Sequence, residues 1–352
     1  MTGVPAPAVY LLAASCAAAA FPSLGDLSIE TNQVIVTVAL AVILFDGGLH
    51  IGRRRLRPVL GAVTWLGTAG TLVTAAALAL AAHGLFDFPW RASLALGTAL
   101  APTDPAVVFA VLGPRTISGR TGTLLEGESG ANDPVGIALM VSVLAASSGS
   151  FRAVAGGVGT FALQLVVGVV IGLVAGWLIT RLPVAGGVTA AVLAAAAFVG
   201  ADALHGSGFL AVFVVGICVG DVIPVRGRYS ILSSVGEVVA FVVLGLSVTL
   251  RSVGHQVGTG LLLAALLILL VRPVLVGLVL WPVRLSRGER GFVLWSGLKG
   301  AVPILLGTYV LDKGIPDALR VYDVIFVVVL VSVVVQGSLV PFAARRLGVE
   351  MI

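Results

Sequence analysis

Long apolar runs, separated by short clusters of glycine, proline and charge, follow one another along the whole chain. A helix that crosses a membrane needs roughly 20 mostly apolar residues. Punctuating the chain at its breakers and charges predicts twelve spans. They fall near residues 5–21, 33–50, 59–82, 91–113, 121–147, 154–180, 184–203, 206–222, 230–250, 258–282, 290–311 and 319–343. The runs are continuous, whereas a transmembrane strand would show short apolar–polar alternation, so a β-barrel is excluded. The loops are short, and residues 1–352 read as one transmembrane domain without a cytoplasmic regulatory domain.

Composition agrees with the pattern. Of the 352 residues, 59% are hydrophobic and 11% charged, against about 25% charged in a soluble domain. A soluble enzyme, a nucleic-acid binder and a disulfide scaffold are thereby excluded. The net charge of +5 belongs to membrane-flanking loops. Arg53, Arg54, Arg55, Arg57, Arg115, Arg120, Arg181, Arg226, Arg228, Arg284, Arg287, Arg290, Arg345 and Arg346 fall on one side of the twelve-span topology. Arg91, Arg152, Arg251, Lys313 and Arg320 fall on the other. The arginine-rich side is read as cytoplasmic, which places both termini of a multi-pass membrane protein inside. Cys16 and Cys218 lie in apolar runs and read as small packing residues, and no cofactor is expected.

The remaining two bases, Arg272 and Lys299, lie inside spans together with Asp46, Asp104, Glu126, Glu128, Asp133 and Glu237. An ionisable group inside a bilayer is costly unless paired or hydrated, so each is a functional candidate. Six acids cannot all pair with two bases, and a net-negative interior suits a cation or a proton. Two spans are broken at mid-depth, one at Pro102-Thr103-Asp104-Pro105 and one at Gly297-Leu298-Lys299-Gly300-Ala301-Val302-Pro303. Broken helices at that depth line a cavity or lie within protein, and a matched pair points to a transporter site. The two breaks are seven spans apart, so their halves face opposite ways, as in an inverted repeat. Asp104 is read as balancing the half-helix N-termini and Lys299 the C-termini. In the fifth span, Ser129 and Asp133 are four apart and share a face that Glu126 extends, while Glu128 and Asn132 form the next stripe. Carboxylate, hydroxyl and carbonyl oxygens are hard ligands that suit alkali cations.

These segments, together with Phe45-Asp46-Gly47-Gly48-Leu49 and Gly206-Ser207-Gly208-Phe209-Leu210-Ala211-Val212, resemble the cation:proton antiporter-1 family, and within it the bacterial NhaP-type sodium/proton or potassium/proton exchangers. The resemblance runs from about Val4 to Leu347. It implies an all-α polytopic fold, an inverted repeat with two crossed discontinuous helices, and a homodimer. It implies an ion site built from Asp133, Ser129 and the Thr103 backbone, completed by Asp46 through water. Asn132 stands where electrogenic relatives carry a second Asp, which implies one-for-one, electroneutral exchange of Na⁺ or Li⁺, or of K⁺, for H⁺. Glu128 and Arg272 match the family's buried ion pair. The sequence departs from the family in carrying Lys299 where arginine is common. It also shows twelve spans where relatives have thirteen, because Val4–Gly25 resembles the family's second helix. Other readings of buried membrane acids are an intramembrane aspartyl hydrolase, against which the lack of a Gly-x-Gly-Asp segment argues, a channel-like potassium efflux system, and a transport-inactive remnant. His50, His83, His205 and His255 read as interfacial residues, and the Gly168–Gly172–Gly176 spacing as close helix packing.

Overall fold

The structure is a computed structural model that describes residues 5–112, 117, 119–145, 151–182, 187–222 and 228–349. The described residues form helices and no strand. We number these α1 (Ala6–Ala20), α2 (Ile29–Leu56), α3 (Leu60–Phe86), α4 (Trp90–Ala99), α5 (Pro105–Leu112), α6 (Gly119–Ala145), α7 (Phe151–Arg181), α8 (Gly187–Ala203), α9 (Gly208–Val219), α10 (Arg228–Leu246), α11 (Leu250–Val279), α12 (Arg287–Trp295), α13 (Ala301–Asp312), α14 (Ala318–Gly337) and α15 (Val340–Arg346).

Each of the twelve predicted spans has a helical counterpart. The fourth, eleventh and twelfth are each split into two helices, giving α4–α5, α12–α13 and α14–α15. The tenth begins at Leu250, a full two turns before the predicted start near 258. Those turns carry Arg251, Ser252, His255 and Gln256, which the hydropathy pattern scores as loop. The polar side chains of these turns are partnered within the protein: Ser252 donates to Asp323 at 3.1 Å and Gln256 receives Arg320 at 3.4 Å.

Packing sorts the helices into two groups. One is a scaffold of α1, α2, α7, α8, α9 and α10. The other is a core of α3–α6 and α11–α15, which takes three spans from each half of the chain, each set with a broken span in its middle. The scaffold is built on glycine contacts. A Cβ at Gly48 on α2 would collide with the Phe213 carbonyl oxygen of α9, and one at Gly216 with the Phe45 carbonyl oxygen of α2. Gly168 and Gly172 set α7 against the carbonyls of Ser207 and Ala211, and Gly176 faces Cys218. Small residues at these crossings let backbones approach where a bilayer supplies no hydrophobic drive between helices. Gly52 is one of four glycines with positive φ among the described residues. It has φ +61°, a conformation costly for any residue with a Cβ, and it kinks the last turn of α2.

Gly48→Ala should lower the melting temperature in detergent, at an overpacking cost of about 1–3 kcal/mol. Gly84→Ala, where a Cβ meets nothing within 4 Å, should be neutral or raise it. Equal effects from the two variants would contradict the close α2–α9 crossing.

Candidate functional site

The site begins at the two breaks. Pro102 and Pro105 remove backbone donors, so α4 ends at Ala99 and α5 starts at Pro105. The extended stretch between them crosses the second break, where the Asp104 N–H donates to the Leu298 carbonyl at 2.8 Å. Four half-helix ends therefore meet inside the protein. The Lys299 ammonium, fully buried, donates to the Ala101 and Pro102 carbonyls at 3.0 and 2.9 Å, beyond the C-terminal end of α4. Asp104 Oδ1 accepts the Ala106 N–H at 2.8 Å in the first turn of α5. The same carboxylate lies against Gly300, directly before α13, and a Cβ at 300 would overlap it. Cations near carbonyl ends and carboxylates near amide ends are the favourable arrangement for helix dipoles.

A third end is held by Arg272. Its guanidinium donates to the Leu294 carbonyl at 3.0 Å and the Val293 carbonyl at 3.2 Å, at the end of α12, and lies 3.5 Å from Glu128 Oε1. Arg272 sits beside Pro273 in a π-helical stretch of α11, where a wider turn redirects side chains. Gly297 leaves room for the guanidinium. Two residues that sequence reasoning missed complete the brace. Ser332 accepts the Lys299 N–H at 3.0 Å and donates to Gln336 at 2.9 Å, and Gln336 donates to the Trp295 carbonyl. A lone glutamine in an apolar run was the available signal. The start of α12 is fixed by a capping box between Ser286 and Glu289. The Ser286 N–H, followed by the Thr121 hydroxyl, holds the Glu289 carboxyl below the usual carboxylate range.

The first break is clamped to α6. Asn132 Oδ1 accepts the Thr103 N–H at 3.2 Å, and Asn132 Nδ2 donates to Thr103 Oγ1 at 2.7 Å. Thr103 Oγ1 lies 3.2 Å from Ser129 Oγ. Both faces of the Asn132 amide are thus occupied by Thr103. Asp133, the next residue along α6 and one turn beyond Ser129, is 9% exposed, and its Oδ1 has no hydrogen-bond partner.

Ser129 and Asp133 line a cavity of about 320 Å³ at the seam between core and scaffold. Five of the six acids singled out in the sequence line it. Asp104, Glu126 and Asp133 come from the core, and Asp46 and Glu237 from α2 and α10 of the scaffold. Glu128, the sixth, stays with Arg272 behind the cavity, their side chains 6% and 3% exposed. The cavity opens toward the Arg53–Arg57 end of α2. Side-chain exposure falls inward from 44% at His50, through 25% at Glu126, to 10% at Asp46. His50 is therefore a mouth residue of the cavity, which its reading as a plain interfacial histidine did not anticipate. Its Nδ1–H donates to the Asp46 carbonyl at 2.9 Å and lies 3.3 Å from Asp46 Oδ1. The i, i+4 spacing of Asp46 and His50 was readable in the sequence.

Removing one partner of a buried ion pair costs about 3–5 kcal/mol. Arg272→Gln also frees two helix-end carbonyls, whereas Glu128→Gln leaves them held. Thermal unfolding should show the larger loss for Arg272→Gln. An equal or reversed order would contradict the bracing role of Arg272.

The chain is similar to proteins described as K⁺/H⁺ antiporters. It is 35% identical over 343 residues to NhaP2 of Shewanella sp. strain MR-4, covering 92% of this chain and 59% of that protein. It is 33% identical over 348 residues to NhaP of Alkalimonas amylolytica, covering 93% and 60%. The chain thus spans about three fifths of the length of these relatives. The Na⁺/H⁺ antiporter NhaH of Halobacillus dabanensis is 25% identical over 341 residues, covering 90% and 84%. Among solved structures, the sodium proton antiporter MjNhaP1 of Methanocaldococcus jannaschii superposes with a TM-score of 0.74 at 22% identity, over 98% of each chain, so the two share a fold. A family model described as sodium/hydrogen exchanger, transmembrane, matches residues 1–346, and the chain belongs to that family.

Proposed function

We propose that this protein exchanges a monovalent cation for a proton across the membrane, with Asp133 as the group that carries either one. The observation behind this reading is the position of the Asp133 carboxylate. It is buried, with one oxygen unpartnered, in the lining of a cavity that also holds the part-exposed His50, next to the crossing of two broken helices. Ser129 and the Thr103 segment supply the neighbouring oxygens, and Asp46 faces them from the scaffold. Asp104, Lys299 and the Glu128–Arg272 pair set the charge around the site, and Asn132 holds Thr103 in register.

Exchange follows from competition at one carboxylate. A cation entering from the cavity must displace the proton on Asp133, and a returning proton must displace the cation. A low-dielectric site tolerates the neutral acid or the ion-paired carboxylate but not a bare charge. The empty carboxylate is therefore disfavoured as a travelling state, which ties cation movement to proton movement. With Asn132 in place of a second acid, one charge replaces one charge. Alternating access then requires the core to move against the scaffold, closing the seam on the side where it is open. The arginine-rich face is the cytoplasmic one by charge bias, so the cavity faces inward and the C-terminus is cytoplasmic. We further propose a single transmembrane domain in the bacterial inner membrane, assembled as a homodimer.

Na⁺ and Li⁺ fit hard oxygen donors. K⁺ is a second reading, favoured by the relatives at 33–35% identity, which are described as K⁺/H⁺ antiporters. In proteoliposomes, addition of Na⁺, Li⁺ or K⁺ should drive proton movement, and Asp133→Asn should abolish it for every cation while leaving the melting temperature near that of the parent. Normal exchange by Asp133→Asn would overturn the assignment. Peptidase activity without cation flux, lost in Asp104→Asn and Asp133→Asn, would favour the hydrolase reading.

A further inference from the structure

The seam between scaffold and core is crossed by neutral hydrogen bonds. Gln164 of α7 donates to the Ala138 carbonyl and to Ser142 of α6 at 3.2 and 3.3 Å, and Ser247 meets the Tyr322 hydroxyl at 2.6 Å. Among the described residues, one ion pair also crosses it. Arg55 of α2 reaches Glu126 of α6, with Nη2 3.2 Å from Oε2. The other ion pairs stay within one group: His50–Asp46 on α2, Arg272–Glu128 between α11 and α6, and Lys313–Asp312 at the end of α13.

The Arg55 side chain is aimed by a built turn. At Gly52 the left-handed φ bends the end of α2, and a Cβ there would lie 2.7 Å from Asp221 Oδ1. Asp221, just past α9, accepts the Arg54 N–H at 3.1 Å through its other oxygen and so pins the bent turn to the scaffold. Arg55 Nη1 donates to the His50 carbonyl at 2.9 Å. One arm of the fork is therefore fixed to the scaffold, and the other reaches across the cavity mouth to the core. Nothing in the cation site itself needs this arrangement.

We infer that Arg55 and Glu126 form a latch that is made when the cavity is open on this side and parted when the core moves to the other. This inference rests on the antiporter reading. Arg55 is a positioning residue in it, since its partner is the moving core and not the transported cation. Sliding one packed element past another by a helical turn displaces it about 5.4 Å. That is far more than a 3.2 Å contact can follow when its arginine is tied at the His50 carbonyl and the turn that carries it is pinned through the Arg54 N–H at Asp221. The pair is partly exposed, at 48% and 25% of the two side chains. Ion pairs of that exposure shift an equilibrium up to about 5-fold, which biases the resting state without trapping it.

The test uses the full chain with Cys16 and Cys218 replaced by alanine, carrying Arg55→Cys and Glu126→Cys, in proteoliposomes. A short, reducible bis-thiosulfonate reagent should cut cation-driven proton flux at least 10-fold, and dithiothreitol should restore it. Arg55→Cys alone, given the same reagent, should keep its own rate. Undiminished flux in the tethered protein would overturn the latch and leave the antiporter reading standing. Absence of flux in the untreated parent chain would take both down. A charge-reversed pair, Arg55→Glu with Glu126→Arg, gives a second readout without cysteines. Arg55→Glu alone should raise the apparent KM for cation on the arginine-rich side up to about 5-fold, because the open state is less populated. The reversed pair should bring it back, and no recovery would count against the latch.

Discussion

The crossing of two interrupted helices is the constraint on which the rest of the structure depends. Breaking a helix inside a membrane strands carbonyls on one side of the gap and amides on the other, and no water is at hand to satisfy them. Here the broken segments satisfy each other. The backbone of Asp104 reaches Leu298, the ammonium of Lys299 reaches the carbonyls after α4, and the carboxylate of Asp104 lies between the starts of α5 and α13. Arg272 and Gln336 secure the end of α12. Every one of these groups is committed to holding the crossing open. Asp133, the residue after the Asn132 that clamps Thr103, keeps a carboxylate oxygen with no hydrogen-bond partner.

Charge is divided between two tasks by packing. The bases are behind the cavity, each on carbonyl oxygens, and Glu128 is with them. The other acids face the cavity from both sides of the seam. A single space lined by Asp46, Asp104, Glu126, Asp133 and Glu237 concentrates negative charge where a cation must arrive. The scaffold contributes two of these groups and the core three, so any relative movement changes the field that the cation meets. Close glycine crossings such as Gly48–Gly216 make the scaffold a firm body against which a core can move.

Much of this was legible in the sequence. The twelve apolar runs predicted the helical segments, because in a bilayer hydropathy alone demands length and continuity. The two Gly/Pro breaks at Pro102–Pro105 and Gly297–Pro303 predicted the interrupted helices, since proline cannot supply the missing donors. The stripe of Ser129 and Asp133 followed from helical spacing. What was not legible was which helices pack into which group. The α2 carboxylate of Asp46 and the α10 carboxylate of Glu237 come to one cavity only through tertiary contacts. Ser332 and Gln336 lie in a π-helical stretch of α14, Ser332–Gly337, and such geometry leaves no mark in hydropathy. His50 was set aside because it lies at a span end, and it is the fold at Gly52 that turns that end into the mouth of a cavity.

One carboxylate shared by cation and proton is the central claim, and the charge moved per cycle tests it most directly. Cation-driven proton flux should be measured in proteoliposomes under imposed membrane potentials of either sign, with Na⁺ and with K⁺. One-for-one exchange predicts the same rate and the same end point at every potential. A flux that runs faster with one polarity, or an end point that moves with the potential, would contradict exchange at a single carboxylate.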